Sequence, residues 1–145
     1  MVREAVKEDL NELLNLYLFL HEKNIPENSD YLENTWKTII EVINHHIIVN
    51  EVNGKIVSSC VCVIIPNLTR NIWPYALIEN VVTNEEHRRK GYATACLQYA
   101  KEIAIENNCY KIMLLTGAKN ESTLFFYKNA GYSDEDKTAF IQWIE

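Results

Sequence analysis

The dipeptide Asn53-Gly54 constrains this chain more than any other feature. It separates the runs HIIVNEV and KIVSSCVCVII, both rich in β-branched residues, and Asn-Gly readily takes the positive φ angles of a two-residue turn. The two runs are therefore expected to fold back on each other as a long β-hairpin. Whatever surrounds them must pack against a sheet.

On the N-terminal side, a short strand-like piece at VREAV precedes Leu10, Leu13, Leu14, Tyr17, Leu18 and Leu20, whose near-helical spacing predicts an amphipathic helix. Pro26 and the polar ENSD interrupt it, and Leu32, Trp36, Ile39, Ile40 and Ile43 predict a second helix. Beyond the hairpin, Pro66 to Pro74 reads as a loop and YALIENVVT as a strand. Cys96, Leu97, Ala100, Ile103 and Ala104 then recur three and four apart, like the buried stripe of a helix. YKIMLLT is expected as a buried strand, residues 121–130 as a helix ended by Gly131, and TAFIQWI as a last strand. The order is β, α, α, a β meander, then β-α-β-α-β. This is an α/β (α+β) pattern, and with no repeat or linker to divide it, residues 1–145 are expected to form a single domain.

Composition removes several function classes. A net charge of −6 disfavours a general nucleic-acid role, because such binding depends on neutralising many phosphates with Lys and Arg. Any anionic ligand must be held by a local site. The longest apolar runs are far too short to cross a bilayer, and no cationic segment with an apolar h-region opens the chain, which predicts a cytoplasmic protein without membrane contact. Cys60, Cys62, Cys96 and Cys109 form no CxxC pair and have no histidine nearby at zinc-ligand spacing, so buried thiols and no metal are expected.

The local site lies where the strand IENVVT passes through EEHRRKG into a helix. A helix start offers backbone N–H groups without intrahelical acceptors, and the macrodipole adds partial positive charge. Gly91 lets a ligand approach the backbone, Ala93 interposes only a methyl, and Arg88, Arg89 and Lys90 add charge. Here RRKGYA resembles the R/Q-x-x-G-x-G/A signature of the GNAT superfamily of acyl-CoA-dependent N-acyltransferases. NESTLFFYKNAGY resembles that family's later motif N-x-x-A-x-x-x-Y-x-x-x-G-F, with Asn120, Tyr127 and Gly131 matching, Thr123 in place of the Ala and Tyr132 in place of the Phe.

The resemblance implies a GNAT-like domain with a mixed, mostly antiparallel sheet flanked by helices and splayed at the cofactor site. It implies acetyl transfer from acetyl-CoA to a primary amine of a small molecule. The cosubstrate would be held by Arg88, Arg89, Lys90, Gly91, Tyr92, Ala93 and Thr94, by the backbone N–H groups of Val81 and Val82, and by Asn120 and Tyr127. Glu79, one carboxylate among the apolar residues of LIENVV, is the candidate general base, with partial burial expected to raise its pKa. Tyr127 is the candidate general acid, because a phenol stays protonated at neutral pH and can donate to a thiolate. Arg70, Trp73 and Tyr75 are candidates to line the acceptor pocket, and NCYKI with FYKNAGY also resembles glucosamine-phosphate N-acetyltransferases, which implies an amino-sugar phosphate as the first acceptor to consider. His21, His45 and His46 read as structural or solvated. The alternatives are a non-catalytic acyl-CoA-binding sensor or regulatory module and a protein N-acetyltransferase. A homodimer is expected, paired through the C-terminal strand.

Overall fold

The computed structural model describes all 145 residues. Contacts group them into two units, Met1–Leu114 and Leu115–Glu145. The first holds a five-stranded sheet in the spatial order β1 (Val2–Glu4), β2 (His45–Val52), β3 (Lys55–Ile65), β4 (Tyr75–Thr83) and β5 (Ile112–Leu114). The first three junctions are antiparallel and β4–β5 is parallel, the mostly antiparallel mixed sheet that was expected. The hairpin forms as the sequence dictates, with Asn53 at φ 50° and Gly54 at φ 79°. Both angles are left-handed, so the turn twists with its strands.

Around the sheet stand α1 (Leu10–Tyr17), α2 (Asp30–Glu41), the four-residue turn α3 (Thr69–Ile72) and α4 (Tyr92–Glu106). Side-chain alternation on β2 assigns the two faces. Ile47 and Val49 pack with Leu13, Leu16 and Trp36 of α1 and α2. Asn50 turns the other way, and its Nδ2 donates to the Tyr92 carbonyl at the start of α4, at 3.3 Å. On that face Cys96, Leu97, Ala100, Ile103 and Ala104 are all buried, which is the stripe read from the sequence. Burial raises the thiols of Cys60, Cys62 and Cys96, Cys62 to about 12 and Cys96 to about 11, so they act as small apolar side chains.

Polar bonds at chain junctions hold α1 and α2 in place. Asp9, just before α1, accepts from Arg3 Nη1 at 2.7 Å and Nη2 at 3.1 Å, and from the Val6 N–H at 2.8 Å. The Arg3 guanidinium therefore holds the Asp9 carboxyl below its ordinary value, and burial opposes this only in part. Glu12 accepts the Ile56 N–H at 2.8 Å, and Trp36 Nε1 donates to the Lys7 carbonyl at 2.9 Å. One segment, residues 7–12, is thereby tied to β1, β3 and α2.

The second unit contains one helix, α5 (Glu121–Asn129), which ends before Gly131 at φ 104°. The expected last strand at TAFIQWI is not formed. A strand needs a neighbour for its N–H and C=O groups, and these residues join no ladder. Phe140 and Ile141 are 90% and 68% exposed, so neither parity of the alternating pattern finds a face to bury. YKIMLLT is likewise reduced to the three paired residues of β5.

Candidate active site

β4 carries an irregularity that shapes everything around it. Between the pairs Val61↔Glu79 and Ser59↔Val82, β3 contributes one residue, Cys60, while β4 contributes two, Asn80 and Val81. This is a β-bulge, and Asn80 takes φ 52° within it. Asparagine is among the few non-glycine residues that enter the left-handed region readily. The extra residue resets the alternation. Val82 rather than Val81 joins Leu13, Leu16 and Trp36, while Thr83 Oγ1 lies 2.8 Å from the Ser58 hydroxyl. As a result Glu79 and Asn80, neighbours in sequence, both line one cavity.

That cavity, of about 350 Å³, lies between α1, α2 and the facing strands β2, β3 and β4. Its walls are mostly apolar, from Leu13, Leu14, Trp36, Ile39 and Val63, with Tyr17 and His45 as further polar edges. Burial pushes the Tyr17 phenol up to about 12, despite an opposing hydrogen bond from Ser59. Burial, assisted by neighbouring His46, lowers His45. Both rings are uncharged at neutral pH. The expectation that Glu79 is partly buried is not met, because the residue is exposed to solvent. The parallel pairing ends at Ile78↔Leu114, so no strand covers β4 on that side from Glu79 onward. Val81 and Val82 lie on this stretch of β4, beyond its last β5 pair, and Val82 still pairs with Ser59 of β3.

From Thr83 the chain enters a short 3₁₀ turn, Glu85–His87, whose first N–H donors are met by Asn84 Oδ1 accepting from Glu86 at 3.0 Å. Arg88 Nε reaches back to the Thr83 carbonyl at 3.3 Å, and Arg89 takes φ 62°. Gly91 then stands as the N-cap of α4 at φ 83°, with no side chain capping the helix. The first helical bond runs from the Ala95 N–H to the Gly91 carbonyl at 3.0 Å, which leaves the N–H groups of Tyr92, Ala93 and Thr94 ahead of it. A Cβ built on Gly91 would meet nothing within 4 Å. Arg88, Arg89 and Lys90 are exposed around this opening, and His87 Nδ1 is buried beside it without a hydrogen-bond partner. Uncapped donors, an open glycine and three cations are the chemistry that an anionic pyrophosphate requires, so these residues fit acetyl-CoA.

In the second unit, Asn120 occupies the N-cap position of α5, but its side chain donates to Ser122 Oγ at 2.9 Å instead of capping the helix. Tyr127, seven residues on, is half-buried with its ring edge-on to Phe126 and Tyr132, at centroid distances of 5.0 and 6.3 Å.

Arg70, Trp73 and Tyr75 do not line the cavity at Glu79. Arg70 sits 5.3 Å over the Tyr110 ring, Tyr75 packs edge-on to Tyr110, and Lys111 Nζ lies above both rings. Tyr75 begins β4 four residues before Glu79, roughly 13 Å along an extended strand, which is why it belongs to another neighbourhood. His46 bonds Glu4 at 2.6 Å, the structural role expected of it, whereas His45 reaches the cavity wall. Sequence reading also missed Asn80. A β-disfavoured residue inside an otherwise apolar strand was the available signal for the bulge.

An acetyltransferase of Methanocaldococcus jannaschii, described as an uncharacterized N-acetyltransferase, is 26% identical over 148 residues, covering 99% of this chain and 64% of that protein. Glucosamine 6-phosphate N-acetyltransferase of Trypanosoma brucei brucei is 31% identical over 84 residues, 58% of this chain and 55% of that protein. The chain thus spans about six tenths of the length of the curated relatives it matches. A solved structure from Agrobacterium tumefaciens, assigned as an acetyltransferase, superposes with a TM-score of 0.90 at 35% identity over 99% of both chains. The model of the acetyltransferase (GNAT) family matches residues 8–132, which takes in the bulged strand, the Gly91 helix start and α5 together, and the chain accordingly belongs to the GNAT family.

Proposed function

We propose that this chain transfers an acetyl group from acetyl-CoA to the primary amine of a small molecule. The observation that carries the reading is that β4 holds Glu79, paired with Val61 just before the Asn80 bulge, in the wall of a cavity and then leads into the Gly91 helix start. A cavity of about 350 Å³ walled by two helices and the sheet suits a small acceptor better than a protein tail.

The cosubstrate, held at residues 88–94, supplies an acetyl thioester whose C–S bond is exchanged for an N–C bond as the CoA thiol leaves. Glu79 takes the proton of the acceptor ammonium, directly or through a water, since its carboxylate is open to solvent. The backbone of Val81 and Val82, on the stretch of β4 without a β5 partner, offers donors for the developing oxyanion. Tyr127 holds at its Oη the proton needed by the departing sulfur. The test is a panel of amines monitored by free-thiol release from acetyl-CoA, with turnover expected for at least one small amine. Acetyl-CoA binding without release for any acceptor would favour a non-catalytic sensor.

Two properties of the whole protein extend the reading. The exposed Phe140, Ile141, Trp143 and Ile144 support association into a homodimer, which light scattering across micromolar concentrations would reveal. Four unpaired cysteines support a reducing compartment such as the cytoplasm. No helix is long and apolar enough to cross a membrane.

A further inference from the structure

The cavity at Glu79 has a charge pattern as well as a shape. None of its lining residues is Lys or Arg, and its only full charge at neutral pH is the Glu79 carboxylate, because Tyr17 and His45 are both held neutral. An ammonium entering here meets an opposite charge. A phosphate or carboxylate would instead lose its hydration to apolar walls with no cation to replace it, and would face a like charge at Glu79. Arg70, a candidate from the sequence for holding an anionic acceptor, is engaged with Tyr110 outside the cavity, where Lys111 also lies over Tyr75 and Tyr110. The body of the ligand must therefore satisfy Leu13, Leu14, Trp36, Ile39 and Val63, an aliphatic and aromatic wall with few hydrogen-bonding groups. A sugar ring would find its polar partners at the edges, Tyr17, Thr35, His45, Glu79 and Asn80, and would set its remaining polar groups against the apolar wall, at a cost.

We infer that the acceptor is a primary monoamine with an apolar, anion-free body of arylalkyl type, its ammonium at Glu79 and Asn80 and its hydrocarbon between α1, α2 and the sheet. This rests on the acetyl-transfer reading of Glu79, and it moves the expected acceptor away from the amino-sugar phosphate suggested by local sequence likeness.

The experiment uses the full chain with acetyl-CoA and two probes, phenethylamine and glucosamine 6-phosphate, comparing kcat/KM by thiol release and ligand binding by the shift in melting temperature. Phenethylamine is expected to be preferred by at least about tenfold. Thr35 is exposed and lines the cavity, so Thr35→Lys adds a cation there with little risk to folding; it is expected to narrow or reverse the preference. A wild-type preference for glucosamine 6-phosphate would overturn the inference and leave acetyl transfer standing. Stabilisation by phenethylamine without thiol release from any amine would overturn acetyl transfer and leave the cavity's preference standing. Neither stabilisation nor release with phenethylamine would sink the inference itself.

Discussion

The two regions that β4 connects are built in opposite ways. The helix start at Gly91 is made within a few consecutive residues, from a left-handed glycine, an uncapped first turn and three adjacent cations. The cavity at Glu79 draws on α1, α2, β2, β3 and β4, residues from Leu10 to Asn80, and exists only when the strands hold their register. A phosphate can be met by backbone donors that any helix start possesses, so that site is local. Discrimination among amines needs a walled space, and walls come from distant parts of the chain. Mutations should therefore separate the two, with acetyl-CoA affinity following the local site and acceptor kinetics following the assembled one.

The largest effect is expected at the chemistry. Glu79→Gln should lower kcat by about 10²- to 10⁴-fold and flatten the acidic limb of the rate-versus-pH profile, while Tyr127→Phe lowers kcat with acetyl-CoA affinity kept. If both folded variants retain more than about half of wild-type kcat, the assignment of base and acid is wrong, and positioning alone drives the reaction.

Next is the tether of the acceptor side. Asp9→Asn removes the charge from a carboxylate bonded twice by Arg3, and should cost about 1.5–3 kcal/mol of stability at neutral pH. Because Arg3 depresses the Asp9 carboxyl in the folded protein, its contribution is complete above the ordinary carboxylate value of about 3.9 and is lost as pH falls through the lower folded value. Melting curves of the variant and wild type should converge in acid. Acceptor KM should rise while acetyl-CoA affinity holds; an equal loss of both would mean the two regions are not separable.

At the local site, Gly91→Val places a β-branched side chain at φ 83° and fills the open space over the helix start. Acetyl-CoA affinity by calorimetry should fall on the order of 30-fold, with the left-handed strain of about 1–2 kcal/mol appearing separately in the melting temperature. Unchanged affinity in the folded variant would remove the site. The smallest changes belong to Arg88→Ala and Lys90→Ala. Both side chains are exposed, so losses of a few-fold that fade with added salt are expected, and salt-independent losses would point to a direct, desolvated contact.

Sequence by itself determined the features whose causes act over a few residues. Asn53-Gly54 forms its turn because both residues accept positive φ, β4 spans the YALIENVVT run, and the Cys96-to-Ala104 stripe buries because its period is helical. The Gly91 helix start was legible for the same reason. Tertiary structure alone decided the rest. TAFIQWI has a strand's alternation but no ladder partner. Arg70 and Tyr75 were drawn to Tyr110, away from Glu79. Glu79 is open to solvent although apolar residues flank it in sequence, and it shares the cavity with Asn80 because β4 carries one residue more than β3 opposite Cys60. Pairing and register depend on which distant segment lies alongside, and a period of two residues makes a one-residue slip reverse every side chain, so no local pattern could have placed the cavity.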